Sequence, residues 1–191
     1  CLQQAGRLDE AVATFEAAAA IDPKDPEIHN NLGYVLRQLG EADKACAVLQ
    51  HGLTLRPGHR GIQVNLANAL VDLGRVTDAL PLYRSAIAAD PGNADVRANH
   101  GMALEILGRH PDALTEYRAA LRLDADHPDA HFCLGLHALA QGDFAAGWQG
   151  YEWRWRSSAS DSRLRGFPLR RWDGESLQGS RLLIHAAETE A

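Results

Sequence analysis

Three asparagines, Asn31, Asn65 and Asn99, stand 34 residues apart in the chain. A side-chain carboxamide both donates and accepts hydrogen bonds, so a row of them can pair with the N–H and C=O groups of an extended peptide without reading its side chains. Asparagine is a poor helix former, and its recurrence at one register therefore favours a binding role. The alternative interpretation is that these side chains cap or cross-link neighbouring helices.

Histidines and acidic residues are the other candidates for chemistry. His127 and His131 have the i, i+4 spacing of a metal pair, with His137 beyond them, but no cysteine or carboxylate completes a ligand set. The acidic turn at 124–129 lacks the spaced glycine and closing glutamate of a calcium loop. The chain contains no nucleophile-elbow, P-loop or dinucleotide-binding motif. The sequence thus predicts no metal, no cofactor and no catalytic residue.

The asparagines belong to a longer register, because glycine, alanine and proline each recur with the same period. The recurring residues are Gly6, Gly40, Gly74, Gly108 and Gly142, then Ala11, Ala45, Ala79 and Ala113, and Pro23, Pro57 and Pro91. Apolar residues recur at helical spacing twice in each period, which predicts two helices with a left-handed glycine stop between them. The second helices are expected to begin near Asp43, Thr77, Pro111 and Asp143. A cap at Thr77 would place Pro81 in the first turn, where its missing N–H costs little.

Packing between these helices is predicted from residue size. Small residues fall where the two helices of a pair must cross, at Gly33, Ala67, Gly101 and Gly135. Larger residues such as Leu49 fill the space between successive pairs. The composition, 46% hydrophobic but only 6% aromatic, suits closely packed helices. A single pair cannot bury its apolar face, so the pairs are expected to stack.

The Leu-Gly or Leu-Ala pair, the inter-helix glycine, the alanine five residues later, the aromatic residue four beyond it and the closing proline resemble the tetratricopeptide repeat. The resemblance implies an all-α fold, a solenoid of antiparallel helix pairs wound into a right-handed superhelix, with a short irregular or β C-terminal tail. The pattern departs at His100, Ala125 and Gly147, which replace a core leucine, the closing proline and a packing alanine. The expected units are a partial repeat at 1–25, repeats at 26–59, 60–93 and 94–127, and a degenerate repeat at 128–155.

In such a solenoid the first helix of each pair lines a concave groove, so the resemblance places the asparagines there. Three residues further along on the same helical face lies a second row, and charged residues flank it. The expected groove residues are Asn31, Tyr34, Arg37, Asn65, Asn68, Asp72, Asn99, Met102 and Glu105. Because no lysine joins them, the groove only weakly resembles those that clamp a C-terminal carboxylate. We expect it to bind a protein or peptide in an extended conformation.

The net charge and the cysteine spacing limit the kinds of partner and the cellular compartment that are expected. The net charge of −6 argues against a nucleic-acid partner, and no apolar run is long enough to cross a bilayer. The three cysteines have no CxxC spacing, which favours free thiols in a reducing, cytoplasmic compartment. The chain begins at Cys1 and its single methionine is Met102, so we expect it to be a piece of a longer protein.

The composition changes near residue 150. Aromatic residues cluster at 144–155 and an arginine-rich stretch follows, which predicts an aromatic cap over the last hairpin with arginines stacked on its rings or solvated. The segment 181–186 has the pattern of a short buried strand. The succession from Phe144 through Trp172-Asp173-Gly174-Glu175 to that strand resembles the junction in bacterial tetratricopeptide-linked glycosyltransferases. The resemblance implies that 156–191 form a linker and the first strand of a truncated α/β domain whose catalytic core is missing.

The leading hypothesis is a non-enzymatic scaffold that binds an extended peptide segment in its groove. One alternative is the substrate-recognition fragment of such a glycosyltransferase; eukaryotic O-linked N-acetylglucosamine transferases resemble this chain in carrying a groove that holds protein substrates. Another is a self-assembly module, because the truncated first repeat would expose an apolar edge that could stack on a second copy.

Overall fold

The computed structural model describes residues 2–158, with side chains described from residue 7 onward. Within this range the chain folds into nine α-helices and one short 3₁₀ helix, with no strand. The helices are α1 (Leu2–Ile21), α2 (Pro26–Gln38), α3 (Ala42–Leu55), α4 (Arg60–Asp72), α5 (Val76–Ala89), α6 (Ala94–Ile106), α7 (His110–Leu123), α8 (Pro128–Ala140) and α9 (Phe144–Tyr151); the 3₁₀ helix is Glu152–Trp155. The predicted all-α solenoid is confirmed, and the predicted strand lies outside the described residues.

Four residues at one register begin the first helices of the pairs. The N-caps of α2, α4, α6 and α8 are Asp25, His59, Asn93 and His127, and each side chain accepts a hydrogen bond from a backbone N–H in the following turn. These four residues, of three types, have in common a side-chain acceptor, which is what an N-cap requires. The start of each first helix is therefore fixed locally.

Glycine ends four of these first helices. Gly40, Gly74, Gly108 and Gly142 have φ between +73° and +81°, a conformation that other L-residues rarely adopt. The predicted helix stop is confirmed at these four positions. It is wrong at Gly6, because α1 runs from Leu2 through Gly6 to Ile21.

The second helices begin slightly earlier than predicted. α3, α5 and α7 follow Glu41, Arg75 and Arg109, none of which makes a side-chain cap hydrogen bond. Since α5 starts at Val76, Pro81 lies in its second turn and not in the first turn, as predicted. Pro81 lacks the N–H that would bond the carbonyl of Thr77, and it lies on the exposed side of the helix.

Helix pairs stack so that first helices meet first helices. α2 contacts α4, α4 contacts α6 and α6 contacts α8, whereas no two of α3, α5, α7 and α9 contact each other. The row of first helices is thus the crowded inner side of the stack, and the second helices are spread along the outer side. The core between them consists mainly of alanine and leucine, with two fully buried tyrosines, Tyr83 and Tyr117.

Small residues allow the helices of each pair to cross closely. A Cβ added at Gly101 would lie 2.6 Å from Cε1 of Tyr117, and one added at Gly135 would lie 2.6 Å from the carbonyl carbon of Gly150. The first contact is with a side chain, but the second is with backbone. α8 and α9 therefore approach more closely than a side chain at Gly135 or Gly150 would permit.

The C-terminal end of the described chain is partly covered by aromatic side chains. The Trp153 ring stacks on His131 at 4.3 Å between centroids, and the Arg154 guanidinium lies 4.1 Å from the centroid of Trp155. These contacts agree with the predicted aromatic cap and its stacked arginines. Two of its members do not cover the hairpin, since Phe144 and Trp148 are mostly exposed.

Candidate functional site

The first helices α2, α4, α6 and α8 bring the predicted asparagines to one side of the stack, here called the groove face. Asn31 lies on α2, Asn65 on α4 and Asn99 on α6, at equivalent positions. Asn31 is exposed, while Asn65 and Asn99 are half-buried. The equivalent position on α8 holds Cys133, which is buried.

The three asparagines differ in their hydrogen bonds. Asn65 donates from Nδ2 to Oδ1 of Asn30 at 2.9 Å, which links α4 to α2. The side chains of Asn31 and Asn99 make no hydrogen bond within residues 7–158. The cross-linking alternative therefore applies to Asn65, and the carboxamides of Asn31 and Asn99 keep their full capacity to donate and accept.

Two further groove residues are engaged by buried tyrosines. The Tyr83 hydroxyl donates to Oδ1 of Asn68 at 2.5 Å, and the Tyr117 hydroxyl donates to Oε2 of Glu105 at 2.7 Å. Burial raises the pKa of both tyrosines above its usual value, so both remain protonated donors at neutral pH. Asn68 keeps its two amide N–H groups for another partner, whereas Glu105 is turned towards the core hydroxyl.

Next to Tyr117 lies a second buried group. Burial raises the pKa of the Cys133 thiol to about 11, so the thiol is neutral at physiological pH. Cys46 is also a buried free thiol, and its pKa is raised by the same cause. Neither has the exposed, electropositive surroundings of a reactive cysteine.

The predicted charged flank is an ion pair. Nε of Arg37 on α2 lies 2.6 Å from Oδ2 of Asp72 on α4, and both side chains are partly exposed. The pair neutralises the two charges and connects consecutive first helices. Tyr34 is exposed on the same face and Met102 is half-buried, so the remaining surface offers apolar contacts.

A column of polar residues that the sequence analysis missed lies in the first turn of each first helix. His29, Gln63, Arg97 and His131 each donate to the backbone carbonyl six residues earlier, at 2.8–3.2 Å. These bonds hold the turn between successive repeats. The four residues stand 34 apart in the sequence, and each has a side-chain N–H donor. This shared donor group is the pattern by which they could have been predicted.

The histidines considered for a metal site have other roles. His127 is the N-cap of α8; its Nδ1 accepts from the N–H of Ala130, and its Nε2 lies 3.1 Å from Oδ1 of Asp95. His131 bonds the carbonyl of Ala125. Across the described part of the chain, no group of three or more histidine, cysteine, aspartate or glutamate side chains could hold a metal ion. Nor is any helix in that part long and apolar enough to cross a membrane.

Fold and groove face together define a helical-repeat solenoid. Family models described as tetratricopeptide repeat match residues 64–128, 99–147 and 26–59, and a model described as TPR repeat matches residues 2–40. The chain therefore contains tetratricopeptide repeats over most of residues 2–147. Such solenoids present extended concave surfaces, and their class is that of protein-interaction scaffolds.

Solved structures share the fold. MamA from Desulfovibrio magneticus RS-1 superposes with a TM-score of 0.68 at 24% identity, covering 80% of this chain and 85% of that one. A thermophilic TPR protein from Thermus thermophilus, TTC0263, gives 0.69 at 24% identity over 84% and 88%. MamA MSR-1 gives 0.64 at 26% identity over 81% and 91%. A comparison with curated protein sequences gives no match.

The comparisons lend no support to the resemblance to a glycosyltransferase junction. All the matched family models describe the repeat itself. The segment that carries most of the resemblance, from Trp172 to 186, lies outside the described residues.

Proposed function

We propose that the chain is a scaffold that holds an extended segment of a partner protein against the groove face, with Asn31 and Asn99 as the main polar contacts. The observation that carries the proposal is that these two carboxamides stand at one register, on α2 and α6, without hydrogen bonds in the described structure. Each can donate to a peptide carbonyl and accept from a peptide N–H. Asn68 adds two donors between them.

The chemistry of the groove face favours recognition of a peptide backbone over recognition of charge. Arg37 and Asp72 satisfy each other, and Glu105 accepts from Tyr117. Tyr34 near one end and Leu136 near the other are 49% and 40% exposed, and Met102 lies between. An extended segment with apolar side chains near both ends, and with few charges, therefore fits this surface best.

Asn65 has a supporting role in this proposal. Its bond to Asn30 fixes the spacing of α2 and α4, and hence the position of Asn31 relative to the rest of the groove face. We expect its replacement to weaken binding indirectly, through the arrangement of the helices, and to lower stability as well.

The test uses peptides selected against the full chain from a random library displayed on phage, with affinity measured by fluorescence anisotropy. The double variant Asn31→Ala/Asn99→Ala is expected to bind them about thirtyfold more weakly, since at least two hydrogen bonds are lost and each contributes about 1 kcal/mol. The matched control is Gln50→Ala, which removes an exposed carboxamide from the second helix α3. Unchanged affinity in the folded double variant would overturn the proposal.

Self-association remains a second prediction. α1 contacts α2 and no other element of the described chain, and Ile21 at its end is 87% exposed. Light scattering of the full chain over a dilution series tests it: a mass that rises with concentration is expected, and a constant monomeric mass would contradict it.

A further inference from the structure

One repeat departs from the others inside its core, on the side opposite the groove face. Position 100 holds histidine where the equivalent positions hold Leu32, Leu66 and Leu134. Position 116 holds glutamate where the equivalent positions in the two preceding second helices hold Val48 and Leu82. Among repeats 26–59, 60–93 and 94–127, only the last therefore has polar residues at these two positions.

His100 and Glu116 form a cluster with Arg97. Oε1 of Glu116 lies 3.4 Å from Nδ1 of His100, and its Oε2 accepts from Nη1 of Arg97 at 3.2 Å. Contact with His100, and then with Arg97, lowers the pKa of Glu116 against the opposing effect of burial. Burying such groups generally costs stability compared with apolar side chains, so a structural role alone explains the cluster poorly.

His100 has an unused hydrogen-bonding group. Its side chain is 9% exposed, and Nδ1 is buried and makes no hydrogen bond within residues 7–158, although Oε1 of Glu116 lies 3.4 Å away. A buried polar atom without a hydrogen bond is unfavourable unless a ligand or water forms a hydrogen bond with it. The same imidazole lines a cavity of about 210 Å³.

This cavity lies in the gap between the second helices α5 and α7, with His100 and Leu104 of α6 lining it as well. We name it the outer cleft. Leu80 and Leu104 supply apolar wall, and Arg84 lines the side formed by α5. Its volume is about seven times the share of one water molecule in the liquid, ~30 Å³, which suits a ligand of a few non-hydrogen atoms.

The charged residues that line the outer cleft indicate the charge of the ligand that would bind there. Arg109 is held by Asp112, with Nε 2.8 Å from Oδ2, and Glu116 is held by Arg97. Arg84 makes no ion pair or hydrogen bond within residues 7–158, so its guanidinium is the one uncompensated charge among the residues that line the cavity. A guanidinium matches the planar geometry of a carboxylate, and the two leucines match a short hydrocarbon chain.

We propose that the outer cleft is a binding site, separate from the groove face, for a carboxylate on a short apolar stem. The carboxylate pairs with Arg84, one of its oxygens also accepts from Nδ1 of His100, and the stem packs on Leu80 and Leu104. A free small acid and the side chain of a glutamate in a bound protein share this chemistry.

The test titrates the full ¹⁵N-labelled chain with butyrate and follows the imidazole of His100 and the amides of α5–α7 by NMR. Butyrate is expected to shift these signals with millimolar affinity, whereas butyramide and butylammonium are expected to shift them much less. Arg84→Gln should weaken butyrate binding by about tenfold through loss of the charge pair. The matched control Arg118→Gln removes an exposed arginine of α7 that does not line the cavity and should bind normally.

A glutamate blocked at both backbone ends distinguishes the two sources. Binding of both probes supports a side chain of a partner protein, and binding of butyrate alone supports a free acid. Equal binding of butyramide, preferential binding of butylammonium, or unchanged affinity in the folded Arg84→Gln variant would each overturn the proposal. His100→Leu provides a second variant, since leucine occupies the equivalent core positions; it should fold and lose affinity.

Discussion

Asn65 donates a hydrogen bond from Nδ2 to Oδ1 of Asn30, so that the side chain in the middle of the asparagine row joins two first helices. Asn31, one hairpin earlier at the same register, has no such bond and is exposed. Residues of one type and one spacing therefore have different physical roles, and each role predicts a different effect of substitution.

Asn65→Ala is expected to be less stable than Asn31→Ala by about 1 kcal/mol. Both replacements gain the same helix propensity, but only the first removes a hydrogen bond. Urea denaturation of the two variants measures the difference. Equal free energies of unfolding would show that the bond between Asn65 and Asn30 contributes nothing to stability.

Gly135→Ala is expected to destabilise the chain more than Gly101→Ala. At Gly135 the new Cβ meets the backbone of Gly150, which cannot move without displacing α9, whereas at Gly101 it meets the ring of Tyr117. Overpacking typically costs about 1–3 kcal/mol, and we expect Gly135→Ala to lie at the upper end. Thermal unfolding provides the measurement, and a smaller loss at Gly135 than at Gly101 would be inconsistent with the close approach of α8 and α9.

Replacing His100 and Glu116 together by leucine is expected to stabilise the fold by about 1–4 kcal/mol, because an apolar pair replaces a buried polar one. Arg97 keeps its bonds to the carbonyl of Pro91 in this variant. Urea denaturation at neutral pH tests the expectation. A less stable double variant would indicate that the polar cluster is there for stability.

The same cluster predicts a pH dependence. Because the folded state holds the pKa of Glu116 below its ordinary value of 4.5, the stability that this carboxylate contributes is fully present above that pH. It is lost as the pH falls through the lowered pKa. The difference in unfolding free energy between wild type and Glu116→Gln should therefore be constant above the ordinary value and shrink in acid. A difference that grows in acid would have the wrong sign.

Asp129→Ala is expected to loosen the end of the described chain. Oδ1 of Asp129 accepts from the hydroxyl of Ser157 at 2.7 Å and the N–H of Ser158 at 2.6 Å, and Oδ2 accepts from the hydroxyl of Ser158 at 2.7 Å. Each hydrogen bond to a carboxylate contributes about 1.5–3 kcal/mol, so trypsin should cleave after Arg156 at least about tenfold faster in the variant. Asp126→Ala, which changes an exposed residue before the same helix, serves as control and should be cleaved at the wild-type rate.

The repeat architecture could be predicted because its signals are local and periodic. Glycine at 40, 74, 108 and 142 is needed for a left-handed backbone, and that requirement can be seen in the sequence. Gly6 carries the same signal, but α1 continues through it, so the glycine period alone does not determine a helix stop. The sequence pattern predicts Pro81 in the first turn of α5, but it lies in the second. The helix begins after Arg75, and arginine gives no capping signal in the sequence.

Side-chain partners on the groove face could not be predicted from the period. Asn65 donates to Asn30, which lies 35 residues earlier, one more than the repeat period of 34. The partner therefore depends on the relative orientation of the two helices. Arg37 and Asp72 pair across the same offset. The column that begins at His29 is hard to see in the sequence because its members share a donor group but not a residue type.

NMR observation of the side-chain amides tests the groove proposal most directly. The full chain, labelled with ¹⁵N, is titrated with a peptide selected for binding, and the carboxamide signals of Asn31 and Asn99 are compared with that of Gln50 on α3. We predict that both asparagine signals shift with the same affinity as the peptide, while Gln50 does not move. Shifts confined to the second helices, with Asn31 and Asn99 unchanged at saturation, would contradict binding in the groove.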